Sequence, residues 1–185
     1  MIVEKLDIDI DYERLVAEYN SLNIEKMLLE NNKQISVQKR PNVQGKNELT
    51  DGTQSLVFDW DTYDETTGKA KLRKELVKET DFSEVCDFIK STYTEEVIKK
   101  LQEKYGVVRG RYMISEMKSC LTIHRDSSKR MHIPIVTNEN CFMVIEDSVY
   151  HLPYGSTYRV DTTVPHTAVN ASSTRRTHLV FCLPK

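Results

Sequence analysis

Cys120-Leu-Thr-Ile-His124-Arg-Asp126 leads through a polar turn, Asp126-Ser-Ser-Lys129, into Arg130-Met-His132-Ile-Pro-Ile-Val-Thr137. Two short runs rich in Ile, Met and Thr on either side of a tight turn read as strands. Side chains alternate along a strand, so Arg130 and His132 share one face, opposite Met131, Ile133 and Ile135. The same alternation lets His124 and Asp126 approach one side at a strand end.

Working outward, this texture runs from Gly106 to the C terminus. Short runs recur at Val107 to Met117, Cys120 to His124, Met131 to Thr137, Cys141 to Ile145, Val149 to Leu152, Tyr158 to Thr162, Thr167 to Asn170 and Thr177 to Leu183. Turn residues separate them, with no intervening helix, which means an antiparallel sandwich or barrel. With a ligand set inside, the jelly roll or cupin type is expected. The fold class is α+β, mainly β.

Residues 1–106 read differently. Leu15, Val16, Tyr19 and Leu22 predict a helix over 11–22 with Asp11 near its cap, and Ile24 to Leu29 either continues it or starts another. Gln38 to Thr53 reads as irregular, Gln54 to Trp60 as a strand and Asp61 to Lys69 as a polar turn. Capping patterns at Asp81-Phe-Ser-Glu84 and Thr92-Tyr-Thr-Glu95 predict two helices. The second has an apolar face of Val97, Ile98, Leu101 and Tyr105 and a stop at Gly106. We therefore expect a single domain, 1–185, with a mostly helical part over 1–106 carrying one or two strands and a β core over 107–185.

The chain has 185 residues, 39% hydrophobic and 29% charged, with a net charge of -2. Such a balance favours neither nucleic acid nor an anionic membrane as partner. No apolar run approaches the roughly 18–20 residues that span a bilayer. The acidic start, MIVEKLDIDIDYERL, lacks the form of a signal peptide, so a cytoplasmic location is expected. Cys86, Cys120, Cys141 and Cys182 form no C-x-x-C pair and read as buried free thiols.

His124, Asp126 and His166 make the two-histidine, one-carboxylate set of a non-haem Fe(II) site, which leaves three metal positions open. A lone H-x-D is common by chance, and a lone histidine is ordinarily a surface or hydrogen-bonded core residue. Arg176, His178, Val180 and Cys182 share a face of the last strand, and a buried arginine there needs an anion such as a cosubstrate carboxylate. Arg130 and His132 belong either to that site or to an exposed edge strand. Lys39-Arg40 and Arg109/Arg111 are candidates for an acidic substrate group or are solvated surface. Tyr112, Tyr154 and Tyr158 are candidates for the pocket wall, and residues 38–53 and 61–69 are candidates for a lid.

His124-Arg-Asp126, Arg130-Met-His-Ile-Pro-Ile-Val-Thr-Asn138, Val160-Asp-Thr162, His166-Thr-Ala-Val-Asn170 and Arg176-Thr-His-Leu-Val180 occur in fixed order. Together they resemble the aspartyl/asparaginyl β-hydroxylase family of Fe(II)- and 2-oxoglutarate-dependent dioxygenases, most closely its compact bacterial and phage members. The resemblance covers about residues 80–183, including Arg109-Gly-Arg111-Tyr-Met113. It implies a double-stranded β-helix with His124, Asp126 and His166 on iron, Arg176 on the distal carboxylate of 2-oxoglutarate, and Arg130 and His132 assisting there. Arg175 is adjacent, but Arg176 has the ten-residue spacing from His166 that the resemblance calls for. Some relatives lack the metal-binding Asp that this chain has as Asp126, so their protein substrate does not carry over. The implied reaction consumes O2 and 2-oxoglutarate, releases succinate and CO2, and hydroxylates an amino acid, free or in a protein. The alternative is a cupin-like module that binds a metal or small acid, or is structural, without turnover.

Overall fold

The computed structural model describes residues 1–184, apart from the side chains at 60 and 61. The first strands are β1 (Val3–Leu6), β2 (Gln34–Ser36), β3 (Gln38–Lys39), β4 (Phe58–Asp64), β5 (Lys69–Leu72) and β6 (Glu84–Val85). The next eight are β7 (Val108–Ser115), β8 (Ser119–Cys120), β9 (Lys129–Val136), β10 (Cys141–Ile145), β11 (Ser148–His151), β12 (Thr157–Val160), β13 (His166–Asn170) and β14 (Arg176–Leu183). The helices are α1 (Tyr12–Ser21), α2 (Ile24–Glu30), α3 (Glu48–Asp51) and α4 (Tyr93–Tyr105).

Two antiparallel sheets face each other. One runs β1-β12-β9-β14-β7-β2 and the other β11-β10-β13-β8. From β7 onward the chain passes back and forth between the sheets, pausing only at the β10–β11 hairpin. That path is a double-stranded β-helix, as expected.

Alternation gives the larger sheet two unlike faces. Its outer face carries Tyr112, Ile114, Met131, Ile133, Leu179 and Phe181, all buried in one cluster with Leu15, Tyr19, Leu28 and Ile98 of the helices. Full burial of each such side chain contributes about 1.5–3 kcal/mol, so this helix-covered face is the main core. Its inner face carries the polar set Arg111, Arg130, His132, Arg176 and His178. A smaller cluster around Met143, Ile145, Tyr158 and Val160 packs separately.

Two local features hold the larger sheet together. Pro134 lies in β9, a central strand, where the register of β14 shifts between Thr177 and His178. Proline donates no ladder hydrogen bond, and the irregularity accommodates it. Gly110 lies in β7 beneath the Phe181 ring of the neighbouring β14. A Cβ there would come within 2.5 Å of Phe181 and 2.7 Å of Val37.

The helix caps follow the sequence: the Asp11 side chain accepts from the Arg14 amide, Thr92 caps α4, and Gly106 ends it with φ 66°. Several expectations need correction. The N-terminal part carries six short strands rather than one or two, and β1 and β2 extend the larger sheet. No helix starts at Asp81. A single 3-10 turn over Glu79–Asp81 is followed by β6, because this backbone bonds sideways, Arg109 N to Phe82 O and Cys86 N to Val37 O. Part of 61–69 is strand, since β4 runs to Asp64 and only the residues between it and β5 turn. Residues 38–53 hold β3 and α3, clamped by Arg40 on Asp51 and by the Gly52 amide on Ser36 Oγ. Cys120 is exposed, whereas Cys86, Cys141 and Cys182 are buried.

Candidate metal and cosubstrate site

The metal-ligand candidates meet where the segment after β8 runs beside the start of β13. His124 and His166 form an antiparallel bridge, N to O at 3.0 and 2.9 Å, which brings their ring centroids to 4.3 Å. The Asp126 amide donates to Thr162 O at 2.8 Å, which fixes the third residue. Ligand atoms of His124, Asp126 and His166 lie within 4.8 Å of one another, and His166 Nε2 is 3.6 Å from Asp126 Oδ2.

Second partners orient each ligand. His124 Nδ1 sits 2.8 Å from Thr122 O and His166 Nδ1 3.0 Å from Val164 O. A carbonyl accepts only, so Nδ1 carries the proton and each Nε2 keeps its lone pair for a metal. Asp126 Oδ1 accepts from Arg130 Nη2 at 3.0 Å, which leaves Oδ2 toward the histidines. With bonds of about 2.0–2.2 Å to nitrogen and oxygen, one ion fits this set after small side-chain movements. His166 is buried, Asp126 half-buried and His124 exposed, so the centre opens to solvent on one side.

The site lines a cavity of about 440 Å³ between the sheets. The inner face of the larger sheet adds three arginines and two histidines to it. Arg130 is committed, since its guanidinium also reaches Glu79 at 3.1 Å. Arg176 and Arg111 are not. Among the described residues neither has a carboxylate partner: Arg176 donates to His178 Nε2 at 3.1 Å, and Arg111 reaches only Gln34 Oε1 at 3.4 Å. Burial lowers both guanidinium pKa values to about 10, and Arg109 adds repulsion at Arg111. Arg111 Nε and His132 Nε2 are buried and have no hydrogen-bond partner among the described residues.

His178 Nδ1 lies 3.4 Å from His132 Nδ1. Burial first, then the Arg176 charge, push both histidines well below their ordinary value, so they are neutral. The cavity thus offers two cations and a neutral imidazole edge to a bound anion. Buried cations without an internal anion are costly and mark an anion site.

Other candidates lie elsewhere. Arg175 is on the surface, paired with Glu116 and Glu25, so only Arg176 enters the cavity. Lys39 is buried against Glu48, and Arg109 is spent on the carbonyls of Gly52 and Gln54. Tyr112, Tyr154 and Tyr158 do not line the cavity: Tyr112 points into the helix-packed core, and Tyr158 bonds Pro153 O. No residue of 38–53 or 61–69 lines it among the described residues. Its mouth includes the exposed Leu121 and Ile123 instead. His178 was legible as an in-facing neighbour of Arg176. Nothing in the sequence marked Gln34 or Glu79.

The family model for aspartyl/asparaginyl beta-hydroxylase matches residues 11–184. The chain belongs to this family. Its core is the double-stranded β-helix described above. Over 95 residues this β-hydroxylase family member is 27% identical to L-proline cis-4-hydroxylase from Rhizobium meliloti (strain 1021), a match covering 48% of this chain and 34% of that protein. The chain thus spans about a third of that relative's length. Solved structures similar to it include AviO1 from Streptomyces viridochromogenes Tue57, with 11% identity, coverage of 98% of this chain and 90% of that one, and a TM-score of 0.46. Another is an oxidoreductase of the 2OG-Fe(II) oxygenase family from Burkholderia pseudomallei, with 13% identity, 50% and 57% coverage and a TM-score of 0.39. A third is a cupin domain from Bordetella pertussis tohama i, with 17% identity, 41% and 80% coverage and a TM-score of 0.37.

Proposed function

We propose that this β-hydroxylase family member is an Fe(II)- and 2-oxoglutarate-dependent dioxygenase that hydroxylates an unactivated C–H bond of an amino acid, free or in a protein. The observation that carries this reading is the coincidence, in one cavity, of a two-histidine, one-carboxylate set with a buried arginine that has no carboxylate partner among the described residues. His124, Asp126 and His166 would hold Fe(II), with Nε2 lone pairs set by Thr122 O and Val164 O. Bound iron with 2-oxoglutarate and O2 supplies the oxidising power, one oxygen atom ending in succinate beside released CO2 and the other in the new hydroxyl.

The chain's own residues bind and orient. Arg176 would take the distal carboxylate of 2-oxoglutarate, selecting a dicarboxylate by a charge-assisted pair. His132 assists with its unpartnered Nε2, and Arg130 holds Asp126. Arg111 remains as a cation for a carboxylate of the amino-acid substrate. Met113, Met143 and Val180 give the cavity apolar walls that exclude water around the reacting carbon.

The test is anaerobic addition of Fe(II), then 2-oxoglutarate, to the purified protein while recording the visible metal-to-ligand charge-transfer band. The band should form in the parent, vanish in His166→Ala and need far more 2-oxoglutarate in Arg176→Ala. Folded parent protein that takes up no iron and shows no band would sink the oxygenase reading in favour of a binding or structural module. A band without 2-oxoglutarate consumption across a mass-resolved substrate screen would favour binding without turnover.

A further inference from the structure

Glu79 precedes the β core, in a single 3-10 turn, yet it grips the turn that carries Asp126. Its side chain is 8% exposed. Oε1 accepts from Ser127 Oγ at 2.9 Å and Oε2 from Ser128 Oγ at 2.5 Å. Oε1 also lies 3.1 Å from Arg130 Nη2, the atom that reaches Asp126 Oδ1 at 3.0 Å. Arg130 Nη1 is occupied by Ser128, through its carbonyl at 3.0 Å and its hydroxyl at 2.6 Å. One carboxylate therefore holds Ser127, Ser128 and Arg130, with Arg109 Nη1 more distant at 3.9 Å and already engaged by the carbonyls of Gly52 and Gln54.

Two consequences follow from elementary electrostatics. A guanidinium beside a lone carboxylate takes it fork to fork and covers both oxygens. Here Glu79 and Ser128 share the fork, so Asp126 meets it through Oδ1 alone. Charge balance points the same way. With Glu79 present, Arg130 is neutralised from behind and Asp126 presents a full negative charge to a cation. Without it, Arg130 and Asp126 cancel each other, and a divalent ion meets a neutral pair.

We propose that Glu79 is a positioning residue for the metal site, acting through Arg130 to keep one oxygen and the charge of Asp126 available. This rests on the metal reading above.

The experiment is Mn(II) titration of the full chain by calorimetry, with thermal melting of each metal-free variant as a fold control. Glu79→Gln should weaken Mn(II) binding at least tenfold, and Glu79→Asp should recover part of the loss. The decisive readout is a double-mutant cycle. In an Arg130→Gln background, Glu79→Gln should change Mn(II) affinity less than threefold, because the residue it acts through is gone. Equal losses in both backgrounds would overturn the proposal, as would parent-like affinity in Glu79→Gln. If Glu79→Gln does not fold, Ser127→Ala/Ser128→Ala carries the test: weakened Mn(II) binding supports the proposal and unchanged binding overturns it. A parent that binds no more Mn(II) than His166→Ala overturns the metal reading itself, and this proposal with it.

Discussion

Replacing Arg176 with Met should loosen cosubstrate binding and, at the same time, stabilise the ligand-free protein. The guanidinium is buried, with no carboxylate partner among the described residues, and burial pushes its pKa down to about 10. That displacement corresponds to about 3 kcal/mol against the charged form. The folded-state value lies below the unfolded one, so the cost is full below about pH 10 and is relieved as pH rises from there toward the ordinary arginine value. At neutral pH the whole cost is present. Met keeps comparable volume without charge, though it leaves His178 Nε2 unpaired, at about 1 kcal/mol. The net gain should be about 1–3 kcal/mol, or about 2–12 °C in Tm for a chain of this size. Against this, truncating one partner of a buried charge pair costs about 2–5 kcal/mol, so the 2-oxoglutarate Kd should rise by about 30- to 4,000-fold. Differential scanning fluorimetry without ligand gives the first number, and calorimetry with 2-oxoglutarate on Mn(II)-loaded protein gives the second. Parent-like 2-oxoglutarate affinity would refute the role of Arg176. A fall in the ligand-free Tm would refute the desolvation reasoning.

Two further outcomes are expected. Gly110→Ala should lower stability by about 1–3 kcal/mol, because its Cβ would come within 2.5 Å of Phe181 and 2.7 Å of Val37. A urea midpoint at the parental value would show that this contact relaxes freely. Acid should destabilise the fold through His132 and His178, which stay neutral in the folded state while the unfolded chain protonates near pH 6.5. Stability is therefore highest above that value and falls as pH drops below it, by up to about 1.4 kcal/mol per pH unit for each histidine. Urea midpoints that stay constant from pH 6.5 to 5.5 would contradict this.

The surroundings of the arginines explain why the site looked ambiguous in the sequence. Alternation placed Arg130 and His132 on one face, but whether that face meets water or the barrel interior depends on the neighbours of β9. An edge strand was a fair reading of a run containing Pro134. In the fold β9 is central, flanked by β12 and β14, so the polar face turns inward and the apolar face meets the helices. Arg109 and Arg111, two positions apart, show the same dependence. Arg109 has φ 53° and holds the carbonyls of Gly52 and Gln54, while Arg111 lines the cavity.

Local chemistry in the sequence was enough for the β run after Gly106 and the caps of α1 and α4. Turn residues, capping oxygens and period-two alternation act within a few residues, so they can be read along the chain. The bridge that joins His124 to His166 and the clamp of Glu79 on Arg130 join residues far apart in sequence. The false helix at Asp81 has the same origin: its capping pattern was present, but Val37 O and the Arg109 amide claimed that backbone for pairing. Contacts between distant segments depend on how the strands wind through two sheets, and that path is settled by packing the apolar face of the larger sheet against the helices. The tertiary structure alone decides them.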